Sequence, residues 1–213
     1  VPLVNVDGYV YNEMTHPNGG GVWRKNRRPN AGGSFGVDPN RNYGFQWGLN
    51  NAGSSATPSS PYYRGTAAFS EPCTQAMQGL ANTIQSTLSG YFSMHAYGGM
   101  VFIPPGYANG VTASAAVEPI YATFANEMSL MNPLYATGHS YALLGQSSNG
   151  TSLDWFCGSV NGGESVWSFT AELGNPFDGF WPPTSRMVPI CEDAFAYLKH
   201  VIRVCGPDPR VAD

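Results

Sequence analysis

Four side chains in this sequence could act together on a polar bond: one imidazole, one carboxylate and two guanidinium groups. His95 lies in the strand-like run 91–97, which breaks at glycines, so its imidazole should project near a strand end, where α/β folds place ligands. Glu172 closes an alternating apolar run, where a carboxylate is either paired or held for chemistry. An imidazole can bind a metal ion, and a carboxylate beside a metal-bound water can act as a general base.

The two guanidinium groups belong to Arg24 and Arg41, which lie in loops among aromatic and Asn residues. A guanidinium fork suits a carboxylate or an oxyanion. Each residue also has a plainer interpretation, because a strand histidine is more often a hydrogen-bonded structural residue and loop arginines are more often solvated. Residue types alone do not decide between a catalytic and a structural role.

The composition describes a globular chain with a neutral, turn-rich surface. The 213 residues are 42% hydrophobic and 11% charged, with a formal net charge of −4, so we expect one domain. The charge provides no basic field for phosphate backbones, and we expect no nucleic-acid partner. No apolar run reaches the roughly 18 residues that a membrane span needs, so we expect no membrane association either. The first residues lack the features of a signal peptide, and we expect any targeting segment to be absent from this sequence.

The four cysteines, Cys73, Cys157, Cys191 and Cys205, are even in number and lack CxxC spacing, which predicts two disulfides in an oxidising compartment. Reduced, buried thiols are the alternative. Cys191 and Cys205 cannot pair if one helix joins them, because a rise of about 1.5 Å per residue separates them by roughly 20 Å. The sequon that starts at Asn149 could carry a glycan if the protein is secreted.

Hydrophobic periodicity predicts strands that alternate with helices, which indicates an α/β sheet. Residues 15–61 are rich in Gly, Pro, Asn and Ser, and a loop region of that length is expected to build a binding surface. Residues 3–14 are predicted to be a strand that enters a loop, and further strands are predicted at 91–97, 100–103 and 165–173. One helix is predicted to be capped by Ser70 and to carry one apolar face, formed by Met77, Leu80, Ala81, Ile84 and Leu88. Two more helices are predicted over 115–130 and 189–204.

Five motifs follow one another along the sequence. They are Trp23-Arg24-Lys25-Asn26-Arg27, Asp38-Pro39-Asn40-Arg41-Asn42, Met94-His95-Ala96-Tyr97, Ser152-Leu153-Asp154-Trp155 and Phe169-Thr170-Ala171-Glu172-Leu173. In this order they resemble the zinc metallocarboxypeptidases of the pancreatic carboxypeptidase A type, and the likeness runs from Leu3 almost to the C-terminus. The resemblance implies a mixed β-sheet flanked by helices, a zinc cofactor and hydrolysis of the C-terminal peptide bond of peptides.

The resemblance assigns roles at the reacting bond. It implies that His95 is the third zinc ligand and that Glu172 is the general base that activates the zinc-bound water. Arg24 would stabilise the oxyanion of the tetrahedral intermediate, a contribution of a few kcal/mol in comparable sites. Asp38 would orient a zinc-ligating histidine through a hydrogen bond.

Other residues would recognise the substrate. By the same resemblance, Asn40 and Arg41 would hold the C-terminal carboxylate of the peptide. Leu153 occupies the position that sets side-chain preference in the family, where an acid would select C-terminal Lys or Arg. Leu153 therefore favours apolar or aromatic C-terminal residues.

The outer rim of the site is also implied by the resemblance. Tyr97 and Phe180 would line outer subsites, and the peptide bond between Ala96 and Tyr97 would be cis. The mobile tyrosine that caps the substrate in the family is not clearly matched. Counting back from the Ser152 motif places Gln146 there, and Tyr141 is the alternative.

One departure from the family pattern limits the site. The family takes its first two zinc ligands from a His-x-x-Glu motif upstream of these motifs, and no histidine of this sequence has Glu three residues later. The resemblance therefore implies that residues 1–213 are the C-terminal portion of one catalytic domain, without its N-terminal strands and helices. The enzyme would be active only when completed by a segment with that motif, and the expected partner is the N-terminal chain of the same precursor.

Three functions follow from these patterns. The first is a secreted zinc carboxypeptidase that acts on peptide or protein C-termini. The second is a non-catalytic protein that binds peptide C-termini and has lost the zinc site; the retained Glu172 and Arg24 argue against it, because a binder needs neither. The third is a structural surface protein that reuses the fold, which leaves the whole constellation unexplained.

Overall fold

The computed structural model describes residues 1–206 and contains a mixed four-stranded sheet in the order β1-β4-β2-β3. The strands are β1 (Gly90–Ala96), β2 (Met100–Ile103), β3 (Ala136–His139) and β4 (Trp167–Leu173). β1 runs parallel to β4 and β2 runs parallel to β3, whereas β2 and β4 are antiparallel. The predicted mixed α/β sheet is thereby confirmed.

Helices cover both faces of the sheet. Side chains alternate between the faces along a strand, so Phe92 and Tyr91 of β1 point in opposite directions. Phe92 packs against an apolar cluster with residues of the third and sixth helices, and Tyr91 against a cluster with the second and fifth. The helices are α1 (Val6–Thr15), α2 (Pro72–Ile84), α3 (Glu118–Met131), α4 (Ser140–Leu144), α5 (Ser152–Gly158) and α6 (Met187–Val204).

The predicted strand over residues 3–14 is wrong, because this segment forms α1. Asn5 caps the helix, since its Oδ1 accepts a hydrogen bond from the amide of Gly8 at 3.1 Å, and Asp7 lies in the first turn. Both features favour a helix start over the β propensity of the Val and Tyr residues. The short elements β3, α4 and α5 were not predicted from the sequence pattern.

The second helix differs from its prediction in its cap and in its buried face. Glu71, not Ser70, is the N-cap residue, and the Ser70 hydroxyl donates to the Glu71 carboxylate at 2.7 Å. Met77 and Ala81 are buried as predicted. Leu80 and Ile84, which were predicted on the same buried face, are exposed.

The four cysteines are all free thiols, so the predicted pair of disulfides is wrong for this structure. Cys157 and Cys205 are buried in the apolar cluster beneath α3 and α6, where a reduced thiol packs as a small hydrophobic side chain. Cys191 lies within α6 and Cys205 caps its C-terminal end, so the exclusion of that pair holds.

The sequon asparagine is not available for a glycan in the folded chain. Asn149 is fully buried. Its Nδ2 donates to the carbonyl of Asn50 at 3.3 Å, and its Oδ1 accepts from the Ser54 hydroxyl at 2.6 Å. These bonds tie the segment before α5 to the long loop, and the predicted modification would break them.

The outer edge of β1 carries no neighbouring strand within residues 1–206. Met94 on β1 is 49% exposed, and α6, which contacts β1, exposes Phe195 at 59% and Ile202 at 63%. We call these three residues and the free β1 backbone the open edge. It matches the expectation of an incomplete sheet. None of the described helices has both the length and the apolarity that crossing a membrane requires.

Candidate active site

The pairing of β1 with β4 brings the two central residues of the site together. In this parallel ladder His95 is the register partner of Glu172, so both side chains project from the same face at the C-terminal ends of the strands. Met100 of β2 pairs with Glu172 from the other side. The strand ends therefore place an imidazole next to a carboxylate, as the sequence pattern predicted for each residue separately.

The His95 imidazole is held in its neutral form. Its Nε2 lies 2.9 Å from the hydroxyl of Ser93, two residues back on the same face. The pKa of His95 is lowered to about 4, and burial is the largest cause. The positive charge of Arg24 also lowers this pKa, and the opposing effect of Asp38 is smaller. A neutral imidazole is the protonation state that binds a metal ion.

The Glu172 carboxylate has a proton affinity that suits acid–base chemistry near neutral pH. Burial raises its pKa to about 7, although the charges of Arg24 and Arg41 oppose the shift. A general base works best when its pKa lies near the working pH. Such a value at the end of a buried strand is typical of a functional site.

Arg24 and Asp38 form an ion pair beside these strand ends. The Nε and NH2 groups of Arg24 both donate to Asp38 Oδ2, at 3.1 and 2.9 Å. Asp38 is buried, and its Oδ1 accepts from the amide of Asn40 at 3.0 Å. The carboxylate of Asp38, which the resemblance would direct at a histidine, thus accepts hydrogen bonds from Arg24 and from the Asn40 amide in this structure.

Arg41 is buried and fixed by three hydrogen bonds within the chain. It donates from Nε to the carbonyl of Gly53 at 2.9 Å, from NH1 to the carbonyl of Asn40 at 2.6 Å, and from NH2 to the Ser148 hydroxyl at 3.0 Å. Asn40 Oδ1 accepts from the amide and hydroxyl of Ser152 at 3.0 and 3.1 Å. With its oxygen occupied, the Asn40 amide nitrogen is the group left to donate.

Arg41 also lines a pocket of about 240 Å³. Tyr62 and Ser148 line it too, and so does Gln146, one of the two candidates for the lid position. Tyr141, the other candidate, is the second residue of α4 and is not among the lining residues. The pocket therefore associates Gln146, and not Tyr141, with the guanidinium of Arg41.

The remaining predicted residues differ in exposure. Leu153 is buried in α5, its carbonyl accepts from the Ser168 hydroxyl at 2.8 Å, and it is not among the lining residues of the pocket beside Arg41. The rings of Tyr97 and Phe180 meet edge to face at a centroid distance of 4.8 Å, and Phe180 is exposed. The Ala96–Tyr97 peptide bond is cis, as predicted.

Sequence reasoning missed Tyr62. Its ring lies beneath both guanidinium groups, 5.0 Å from the Cζ of Arg24 and 5.6 Å from that of Arg41. Such contacts stabilise cations over aromatic faces. Tyr62 lies in a stretch of small polar residues with no motif around it, so no local signal marked it.

The comparisons with known proteins agree with this geometry. A model of the family described as zinc carboxypeptidase matches residues 1–197. The chain belongs to the zinc carboxypeptidase family. It is 32% identical over 199 residues to zinc carboxypeptidase A 1 of Drosophila melanogaster, covering 91% of this chain and 44% of that protein. It is also 32% identical over 206 residues to carboxypeptidase B of Rattus norvegicus, covering 94% of this chain and 47% of that protein.

Solved structures of relatives have the same fold. Bovine thrombin-activatable fibrinolysis inhibitor, solved in complex with tick carboxypeptidase inhibitor, superposes with a TM-score of 0.80 at 28% identity, covering 96% of this chain and 67% of that one. Carboxypeptidase A from Helicoverpa armigera gives a TM-score of 0.76 at 26% identity, covering 96% of this chain and 50% of that one. The chain spans about half the length of the curated relatives it matches.

Zinc is the cofactor of this family, and the residues present fit only part of a zinc site. Catalytic zinc takes three protein ligands and keeps one open position. Within residues 1–206, no group of three His, Cys, Asp or Glu residues could hold a metal ion. His95 is neutral and projects from a strand end, so it suits one ligand position and leaves two to be supplied.

Proposed function

We propose that residues 1–213 are the C-terminal portion of one metallocarboxypeptidase catalytic domain. Its reaction is hydrolysis of the C-terminal peptide bond of peptides, with release of apolar or aromatic residues. The observation that carries this proposal is the β1–β4 register, which pairs His95 with Glu172. Arg24 and Arg41 act on both of these residues through their charge.

In this proposal His95 is one zinc ligand, and the other two come from a segment outside the chain. Zinc, when bound, acidifies water and polarises the scissile carbonyl. Glu172 accepts the proton of the attacking water and later delivers it to the leaving amine, a double use that a pKa of about 7 permits. Arg24, anchored by Asp38, donates hydrogen bonds to the oxyanion.

The carboxylate of the substrate is held by Asn40 and Arg41. The Oδ1 of Asn40 is bound by Ser152, which turns its amide nitrogen toward an acceptor. Arg41 uses three of its donors within the protein, and its guanidinium has five N–H groups, so two remain for a chain-end carboxylate. In this proposal Tyr97 and Phe180 line outer subsites, and Leu153, at the position that the resemblance assigns to side-chain preference, sets the apolar preference.

The missing ligands and the open edge motivate the predicted partner, the N-terminal chain of the same precursor. An unpaired strand edge with exposed apolar side chains beside it is a surface that natural proteins cover. A segment that pairs with β1 would bring its own side chains to the strand ends beside His95. We also predict an extracellular location, since the substrates would be peptide or protein C-termini.

The runner-up is a protein that binds peptide C-termini without cleaving them. One observation favours it, namely that the described chain supplies one zinc ligand and keeps an intact carboxylate clamp. Retention of Glu172 and Arg24 disfavours it. The two functions differ in metal content and in turnover.

The experiment combines intact and denaturing mass spectrometry of the native material with a zinc assay. The same material is tested on N-acylated dipeptides that end in Phe or in Arg. A second chain that carries His-x-x-Glu, one zinc per complex and release of Phe ahead of Arg support the enzyme. A single metal-free chain that binds the Phe product without cleavage overturns it in favour of the binding protein.

A further inference from the structure

A second cavity, of about 370 Å³, lies apart from the proposed catalytic residues, none of which lines it. Its wall contains two acids, Asp154 and Glu164, and a pair of aromatic rings, Phe45 and Tyr107. No Lys, Arg or His belongs to the lining. Its volume falls in the range of small-molecule sites, about 300–1,000 Å³. The lining is therefore acidic and partly aromatic, and the positive charge of Arg41 reaches Asp154 from outside it.

Asp154 supplies the most direct evidence for a ligand. The residue is 1% exposed, and its Oδ1 accepts from the amide of Gly106 at 2.8 Å. Its Oδ2 is buried and has no hydrogen-bond partner within residues 1–206. A buried carboxylate oxygen without a donor costs free energy, which a cationic donor in the cavity would recover. Burial raises the pKa of Asp154 to about 6, so the group is ionised at pH 7.5.

The other wall residues are suited to the same kind of ligand. Glu164 uses Oε1 to accept from the amide of Ser114 at 2.7 Å, which leaves Oε2 for a second donor. The rings of Phe45 and Tyr107 meet edge to face at 5.7 Å. Aromatic faces attract ammonium and guanidinium groups. Carboxylates and rings in one cavity therefore favour a cation that also carries apolar carbons.

We propose that this cavity binds a primary alkylammonium group, the chemistry shared by lysine side chains and free amines. Asp154 Oδ2 accepts one of its N–H donors, and Glu164 and the aromatic pair surround the charge and the adjacent methylene groups. The site is separate from the proposed catalytic centre. The proposal does not depend on carboxypeptidase activity, because its test measures binding and not turnover.

The test is an NMR titration of the full chain at pH 7.5 and constant ionic strength. n-Butylammonium is the probe, and n-butanol is the neutral probe of similar shape. The amides of Gly106 and Ser114 report on the two carboxylates that they contact. We expect saturable shifts of both amides with butylammonium and none with butanol. Equal shifts with butanol, or no shift with either probe, overturn the proposal.

Variants assign the effect to the cavity. Glu164→Gln should weaken butylammonium binding about tenfold, the loss of one charged acceptor. The matched control is Glu192→Gln, which removes one exposed acid of α6 and should leave affinity unchanged. Equal affinity of Glu164→Gln and the wild type contradicts the site. Asp154→Asn should abolish binding; if that variant does not fold, Glu164→Gln decides alone.

The source of the ammonium group can be read from a third probe. Nα-acetyl-lysine methylamide presents the same group on a peptide-like backbone. Tighter binding of this compound than of butylammonium assigns the cavity to a polypeptide side chain, and tighter binding of butylammonium assigns it to a free amine. Both outcomes require that the shifts of Gly106 and Ser114 saturate.

Discussion

At the scale of single residues, burial acts in opposite senses on two neighbours. His95 and Glu172 are register partners, and removal from water lowers the pKa of the histidine to about 4 and raises that of the glutamate to about 7. The cause is the same, because burial disfavours whichever form is charged. The result is a neutral imidazole beside a carboxyl group that can take up or release a proton at neutral pH.

Glu172→Gln tests the proposed base. In the completed, zinc-loaded enzyme we expect kcat to fall by about 10²–10⁴-fold, the usual contribution of a positioned base, with KM nearly unchanged. The measurement is steady-state hydrolysis of an acylated dipeptide that ends in Phe, alongside the zinc content. Glu192→Gln, which removes a distant exposed acid, is the control. A Glu172→Gln enzyme with full kcat would remove Glu172 from the mechanism.

Leu153→Asp tests the proposed determinant of side-chain preference. A carboxylate at this buried position should attract a C-terminal guanidinium, so the ratio of kcat/KM for Arg over Phe substrates should rise about tenfold or more. Leu153→Asn has the same shape without charge and is the matched control. The measurement is the pair of kcat/KM values for each variant. If both variants change the ratio equally, the effect is not electrostatic and Leu153 does not set the preference.

At the scale of elements, one side chain connects the long loop to the second helix. Asn42 is fully buried; its Nδ2 donates to the carbonyls of Arg64 and Ala67 at 2.8 and 2.9 Å, and its Oδ1 accepts from the Thr74 hydroxyl at 2.7 Å. These bonds join the turn that carries Arg41 to the first turn of α2. The loop owes its shape to such links, since it contains little regular structure.

Asn42→Ala should therefore destabilise the fold by about 3–5 kcal/mol, because it leaves several buried polar groups without partners. The measurement is the free energy of unfolding from urea titration. Asn126→Ala, at an exposed position of α3, is the control and should change stability by less than about 0.5 kcal/mol. A similar loss of unfolding free energy in both variants would mean that the hydrogen bonds of Asn42 do not contribute specifically to stability.

The limits of prediction also appear at this scale. The regular strands and the long helices α3 and α6 follow from periodicity, and the motifs located His95, Glu172, Arg24 and Arg41 correctly at strand ends and loops. The helix α1 was mistaken for a strand because its Val and Tyr residues face outward and no apolar stripe marks a helix. Contacts between distant segments could not be predicted, because they depend on how the loops pack.

At the scale of the whole molecule, we expect the open edge to control self-association in solution. Unpaired strand backbone with apolar neighbours is a template for self-association. Met94→Lys places a charge on this edge and should reduce association of the isolated chain. Leu130→Lys, on an exposed residue of α3 away from the sheet, is the matched control. Sedimentation velocity measures both, and equal effects would show that the edge is not where the chains meet.

Stability should also depend on pH through Asp154. Burial raises its folded-state pKa from 3.8 to about 6, so the folded state binds the proton more tightly than the unfolded state. The stabilisation is present below pH 4 and is lost as the pH rises through about 6, which amounts to roughly 3 kcal/mol.

The Asp154→Asn variant cannot titrate at this position, so it isolates the contribution. Between pH 4 and pH 7, the unfolding free energy of the wild type should fall by about 2–3 kcal/mol relative to that of Asp154→Asn. Urea titrations at four pH values measure it. A difference that stays constant with pH would mean that Asp154 ionises with an ordinary pKa in the folded state.

The three hydrogen bonds that hold Arg41 determine when its side chain becomes ordered. Ser148 lies 107 residues from Arg41 along the chain, whereas Asn40 is its neighbour and Gly53 lies 12 residues away in the same loop. The three acceptors therefore meet at one guanidinium only when the loop and the segment before α5 have docked. The conformational entropy of the arginine is therefore lost during folding and not when a ligand arrives. The proposed recognition of a chain end by Arg41 would in this sense be preorganised. We therefore expect a partly folded chain to lose selectivity for chain ends before it loses its strands.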